Sequence, residues 1–172
     1  MRLSADERDA IAEKNRRIND KTYEAVYDPS KTFVVPKTEP AAPFLNFAPL
    51  QNVLARLQES TRNYDAAVRD ASATARLQSR DVQQSLDNAL RGVELAMITE
   101  RGLPRRPWFK HEIYAPGFYT GYGVKTLPGI REAIEQHSWN EATEEIGIVA
   151  ATLEKTAAQM DRATAIVKGN GR

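Results

Sequence analysis

Apolar residues recur at intervals of three and four along most of this chain, and the breaks in that rhythm mark out its elements. Leu50, Val53, Leu54, Leu57, Tyr64, Ala67, Val68 and Ala71 trace one face of a helix. Pro49 suits its first turn, where a missing N–H costs nothing. Small polar residues collect between Ser72 and Ser79 and predict a break. Val82, Leu86, Ala89, Leu90, Val93, Ala96 and Met97 then form a second stripe, closed by Arg101-Gly102 and two prolines. Pro128 opens a short helix with Ile130, Ala133 and Ile134 inward. The last stretch is the most regular: Trp139, Ala142, Ile146, Val149, Leu153, Thr156, Met160, Ala163 and Val167 keep a three-four alternation. That is a heptad seam for helix-to-helix packing, with Trp139, Ile146, Val149, Leu153 and Met160 as its candidate dimer or packing residues. Ser138-Trp-Asn-Glu141 reads as a capping box at its start, and Gly147 beside the seam is expected to admit a neighbouring backbone.

The beginning is different. Ser4-Ala-Asp-Glu7 also fits a capping box, and a charged helix should follow to about Val26 with a thin stripe of Ile11, Ile18, Thr22 and Val26. Residues 28–44, DPSKTFVVPKTEPAAPF, form a proline-rich connector. It is either a flexible linker or an arm laid over a surface, and Phe33, Val34 and Val35 give an arm something to bury. All nine prolines lie between 29 and 49 or between 104 and 128, which leaves 50–103 and 129–172 free for long helices. These elements predict an all-α fold: a four-helix-bundle-like domain at 44–172, carrying a long ordered aromatic, glycine and proline loop before its last helices. Residues 1–43 form an N-terminal charged helix and a proline-rich connector arm.

Composition narrows the function. With 24 Lys and Arg against 23 Asp and Glu, the net charge of +1 lacks the basic surplus of a nucleic-acid binder. The chain has no cysteine, which excludes disulfides and thiolate metal sites. No apolar run approaches the ~18 residues of a membrane span, and the charged start is unlike a signal peptide. His111 and His137 are far apart in sequence and match no metal-binding spacing, so a hydrogen-bonded structural role is expected for each. Glu144-Glu145 reads as a solvated face. Arg101, Arg105 and Arg106 follow a helix end, where cations offset the carbonyl dipole and pair with acidic neighbours. No nucleophile or phosphate-loop motif occurs.

What remains is HEIYAPGFYTGYGVKTLPGI, residues 111–130. Pro116 and Pro128 fix its ends, Gly117, Gly121 and Gly123 permit tight turns, and Tyr119 and Tyr122 each join a flat apolar face to a hydroxyl. Such a loop binds a ligand, or its aromatics cement it to the bundle; for Tyr114 and Phe118 both readings stay open.

Together with its flanks, Gly102 to Phe109, Lys110 to Pro116 and Pro128 to Ile130, this segment resembles the C-terminal helical domain of the transferrin receptor and glutamate carboxypeptidase II family of zinc peptidases, in a bacterial-type form. The resemblance implies a dimerisation module, not catalytic by itself, for a zinc-dependent carboxypeptidase or dipeptidase-like protein. The zinc would be held by a preceding peptidase domain, and the partners would be a second copy of the chain and that peptidase domain, with no nucleic acid. It also implies that the loop covers the substrate pocket, where a Lys-Tyr pair in glutamate-releasing members holds the substrate's terminal carboxylates. Counting between Ala115-Pro116 and Pro128-Gly129 puts Gly121-Tyr122 at that pair, so the tyrosine is present, the lysine is not, and Lys125 is a candidate substitute. The pocket residues implied are therefore Tyr122, Gly121, Lys125 and Tyr119. The parent protein would be secreted, periplasmic or membrane-anchored. A stand-alone helical scaffold or adaptor, and a small enzyme using 111–130 as a lid, are the competing readings.

Overall fold

The computed structural model describes residues 2–24, 30, 34 and 36–170, with the main chain alone at 71–73. Among them are six helices: α1 (Arg2–Asn19), α2 (Ala48–Arg69), α3 (Ala71–Arg76), α4 (Arg80–Leu95), α5 (Pro128–Glu135) and α6 (Trp139–Lys168). Two short strands, β1 (Tyr114–Pro116) and β2 (Val124–Thr126), pair as an antiparallel hairpin between α4 and α5. The chain is thus helical as expected, and the hairpin is the one addition. Three residues per strand are too few to leave a period-two signature in the sequence.

Helix α6 is the axis. Its 30 residues span about 45 Å, with α2, α4 and α5 packed around it. The core joins Ala142, Ile146, Val149 and Leu153 of α6 to Ile130, Ala133 and Ile134 of α5, Val53 of α2, and Leu45 just before α2. A smaller cluster at the far end joins Ala67 and Val167, with Tyr64, Leu77 and Leu86 against it. The seam residues Ile146, Val149, Leu153 and Met160 are therefore covered within the chain, and Trp139 lies partly buried at its edge. Along α2, Leu50, Val53, Leu57, Tyr64 and Ala67 turn toward this core, while Leu54 and Val68 lie on the exposed rim. Ser60 takes the buried position between Leu57 and Tyr64 that an apolar residue would ordinarily fill.

The helix ends follow different chemistry from the capping boxes expected of them. Helix α1 starts at Arg2, so Ser4 and Glu7 stand inside it, and it stops at Asn19, short of Val26. Ser138 is the N-cap of α6 but makes no side-chain cap bond. At the other end Gly169, with φ +78°, closes α6: its N–H donates to the Ile166 carbonyl and the Asn170 N–H to that of Ala165. Val26, Phe33 and Val35 lie outside the described residues, and Val34 is exposed. Gly147 faces open space, so no backbone among the described residues approaches it. The close approach occurs at Gly129 of α5, where a Cβ would collide with the carboxylate of Glu145.

That carboxylate corrects a second expectation. Glu145 does not join Glu144 on a solvated face; it is fully buried, and the Arg101 Nη2 donates to its Oε1 at 2.5 Å. Burial pushes its pKa up, against the pull of Arg101, and the nearby charges of Glu112 and Glu144 push the same way. The folded state therefore holds the Glu145 proton more tightly than the unfolded chain does. Its contribution to stability is fully present below the ordinary carboxylate range and is lost as pH rises through the folded value. Glu145→Gln keeps an acceptor for Arg101 and cannot ionise. Chemical denaturation of both proteins from about pH 4 to about pH 8 should show the variant gaining on the parent as pH rises; parallel curves would contradict the assignment.

Candidate functional site

The loop at 99–130 is organised around a buried arginine. Three turns lead to it: the Arg106 N–H donates to the Leu103 carbonyl, the Phe109 N–H to Arg106, and the Leu103 N–H to Phe109. Leu103 is buried beneath this knot. Gly102 stands at its entry with φ +65°, and a Cβ there would strike the Pro107 carbonyl, so the turn requires glycine. Arg105 also takes a positive φ, +61°, which swings its side chain outward to Glu141 while Arg106 turns in.

Arg106 and Glu132 of α5 are both almost wholly buried, and one guanidinium nitrogen, Nη2, bonds both carboxylate oxygens at 2.6 and 2.7 Å. The other terminal nitrogen, Nη1, donates to the Pro116 carbonyl at the end of β1. Glu132 Oε1 also accepts the Phe118 N–H at 2.8 Å. The guanidinium lies 5.5 Å from the ring centroids of both Phe109 and Phe118. Three segments, the turn at 106–109, the hairpin at 116–118 and α5, thus converge on one ion pair. Charge-assisted bonds of this kind are about twice as strong as neutral ones, and here Nη1 and Glu132 Oε1 are also bonded to the loop, while the Arg106 Nε is buried without a hydrogen-bond partner.

Beyond this anchor rises the hairpin. Tyr114 pairs with Thr126, Ala115 with Lys125 and Pro116 with Val124. The tip is closed by the Gly117 N–H to the Gly123 carbonyl and the Gly121 N–H to that of Gly117, with Gly121 at φ +63°. Gly117 is tight against the Thr120 hydroxyl, whereas a side chain at Gly121 would meet nothing within 4 Å. At the foot, Leu127 at φ +49° donates its N–H to the Ile113 carbonyl and turns the chain into α5.

The structure separates the loop's aromatics. Phe118 is held against Arg106, with Arg105 at 5.8 Å from its ring, and Tyr114 stacks on His111 and donates its hydroxyl to Glu94 at 2.9 Å. Those two cement the loop. Glu94 raises the Tyr114 phenol above its usual pKa through that bond. By contrast Tyr122 is fully exposed and Tyr119 three-quarters exposed, as is the Trp108 ring on the preceding turn. Lys125, the candidate substitute for the missing lysine, is largely buried and paired to Glu135 of α5, so its ammonium is already engaged. Tyr122, Gly121 and Tyr119 therefore project at the tip, and Lys125 belongs to the base.

Both histidines are in side-chain networks. His111 Nδ1 accepts from the N–H groups of Ile113 and Tyr114, and His137 lies between Glu7 and Glu39. Among the described residues no group of three or more His, Asp or Glu side chains is placed to hold a metal ion together. Arg101, Arg105 and Arg106 all pair with acidic neighbours. No described helix is long and apolar enough to cross a membrane. Sequence reading missed the Arg106–Glu132 pair, whose members stand 26 positions apart in no local motif. The only trace was Arg106 set between Arg105 and Pro107 in a turn, where an inward side chain is not evident.

Residues 45–161 match the transferrin receptor-like dimerisation domain, and the chain belongs to that family. It is 42% identical over 52 residues to a probable glutamate carboxypeptidase of Arabidopsis thaliana, a match covering 30% of this chain and 8% of that protein. It is 31% identical over 84 residues to a probable glutamate carboxypeptidase of Arthroderma benhamiae, covering 44% of this chain and 12% of that one. The chain thus corresponds to a small part of the length of these relatives.

If the ion pair anchors the hairpin, Arg106→Met, which strands the Glu132 charge in the core, should cost about 3–5 kcal/mol in urea denaturation. Arg106→Met combined with Glu132→Leu should recover most of that loss. The double variant should still lose hydrogen-exchange protection at the Phe118 amide, which then has no acceptor.

Proposed function

We propose that this chain is the non-catalytic helical dimerisation domain of a zinc-dependent carboxypeptidase or dipeptidase-like protein. It assembles two copies of the parent and lends the tip of its hairpin to the substrate pocket of the peptidase domain. The zinc is held by that peptidase domain. The observation carrying this reading is the contrast within 111–130: a base fixed by the buried Arg106–Glu132 pair, and a tip where the Tyr122 side chain is fully exposed among the described residues. A loop ordered in advance presents a hydroxyl without an ordering cost at binding. The family match and the names of the two relatives support the assignment of the parent.

Substrate preference follows from Gly121. Where a lysine would greet an acidic side chain or a second carboxylate, this chain offers hydrogen, and Lys125 is held by Glu135. The parent is therefore not tuned to a C-terminal glutamate, and Tyr122 contacts the terminal carboxylate alone.

Light scattering on the purified chain should return twice its 19.2 kDa mass; a monomer at every concentration would remove the assembly half of the proposal. In the polypeptide that carries the peptidase domain, Tyr122→Phe should raise KM about tenfold or more with little change in kcat, the loss of one hydrogen bond to a charged group. Gly121→Lys should increase preference for C-terminal glutamate, since nothing obstructs a side chain there and the positive φ costs only about 1–2 kcal/mol. An unchanged KM in the tyrosine variant would remove the pocket half.

A further inference from the structure

His137 sits in the turn between α5 and α6, and its two ring nitrogens face two different carboxylates. Nε2 is 3.3 Å from Glu7 Oε2 on α1, and Nδ1 is 3.0 Å from Glu39 Oε2 on the connector arm. The ring is stacked on Trp139, 5.3 Å between centroids and 9° from parallel. A neutral imidazole has one N–H and one lone pair, so it can donate to only one of two flanking carboxylates and repels the other. Only the imidazolium donates to both. The ring is also held in an unusual place, since His137 has φ +56°.

We propose that His137 is a proton-operated clasp: as imidazolium it ties α1 to the connector arm and fastens both across the α5–α6 turn. Among the described residues, the groups facing it are these. From α1 come Glu7 and Lys14, the latter bonded to Glu39; from the arm comes Glu39; from α6 come Trp139, which does not titrate, and Glu141, which is taken up by Arg105. The same arm segment is tied to α1 a second time through Asn15, whose side chain bonds the Glu39 main chain in both directions. That contact is independent of pH, so it keeps arm and α1 together as a unit. His137 is what joins this unit to the turn by charge. Beneath it, Leu3 packs on the main core and Ile11 is buried, so release of the clasp exposes apolar surface.

The clasp is closed when the imidazole is protonated and both carboxylates are ionised. Lys14, above all, holds the Glu39 carboxyl below its usual range, which keeps that arm of the clasp ionised into mild acid. As pH rises, the proton leaves and the unit loosens.

The test is nuclear magnetic resonance of the whole 172-residue chain at about pH 6 and about pH 8.5, bracketing the ordinary histidine range. At the lower pH the ring 15N shifts of His137 should be those of the imidazolium, and amides of residues 2–19 and 36–44 should be rigid. At the higher pH the open fraction should rise about tenfold, the loss of one charge-assisted bond. His137→Asn suits the control, because asparagine tolerates a positive φ and cannot ionise; it should leave α1 and the arm equally mobile at both pH values. Glu7→Gln should weaken the pH response without touching the Asn15 contact. Neutral His137 at about pH 6 with α1 docked, or the same pH response in His137→Asn, would overturn the proposal.

Discussion

Arg106 has been taken out of water and placed where four groups face a positive charge at once: the carboxylate of Glu132 on α5, the Pro116 carbonyl at the end of β1, and the rings of Phe109 and Phe118. Desolvating a guanidinium and a carboxylate costs several kcal/mol each, and a simple apolar pair of the same volume would often be as stable. The geometry shows what such a pair supplies instead. An apolar contact in this position would be indifferent to small rotations of the loop, whereas Glu132 Oε1 accepts both the guanidinium and the Phe118 N–H, which fixes the direction in which the hairpin leaves α5. Orientation, more than stability, is what the ion pair adds.

Everything upstream serves to bring Arg106 there. Gly102 admits the tight turn, the positive φ of Arg105 lets two adjacent arginines point apart, and Leu103 plugs the floor. A parallel set of pairs, Arg101 with Glu145 and Arg105 with Glu141, ties the same stretch to α6. The loop therefore hangs from both of the helices that follow it. Helices α5 and α6 are joined to each other by the main core, and Ile113 and Leu127 at the hairpin's base pack against that core.

The helices were legible in the sequence because each buries one stripe against α6, and a stripe at intervals of three and four survives in the order of residues. Ile146, Val149 and Leu153 could be placed in the core from spacing alone. What the stripe does not say is which partner covers it. The same heptad pattern serves a second chain or a neighbouring helix, and here α2, α4 and α5 of this chain fill it. Glu145 shows the opposite failure: in a local pattern, two adjacent glutamates on a helix read as solvated. Burial of one depends on Arg101, 44 residues away, and on the bare backbone of Gly129 opposite. Long-range charge pairing leaves no local trace, and the capping boxes failed for a related reason. Ser4 and Glu7 had the right spacing, but α1 extends past them and Glu7 is drawn to His137. The aromatic, glycine and proline loop was legible as a feature and, through its likeness to a family, as a candidate site, because turn chemistry is local even when its anchor is not.

The partition of roles inside the hairpin follows from these constraints. A loop fixed at one point can still swing; one fixed along its base by Arg106, Glu132 and the Leu127–Ile113 bond, with Lys125 paired to Glu135, has its freedom confined to the tip. At that tip Gly121 takes the positive φ a tight reversal requires, and the neighbouring Tyr122 is carried outward by the turn. Putting a lysine at 121 and keeping the same turn would place a bulky residue in the left-handed region, at a modest cost that glycine avoids. Glycine at 121 is thus favourable for the fold of the domain, and a lysine there would carry a cost that a bound ligand would have to offset. Under the proposed pocket role, the residue at 121 would report on what the tip recognises, while the tyrosine at 122, which strains nothing, could be kept whichever ligand is bound.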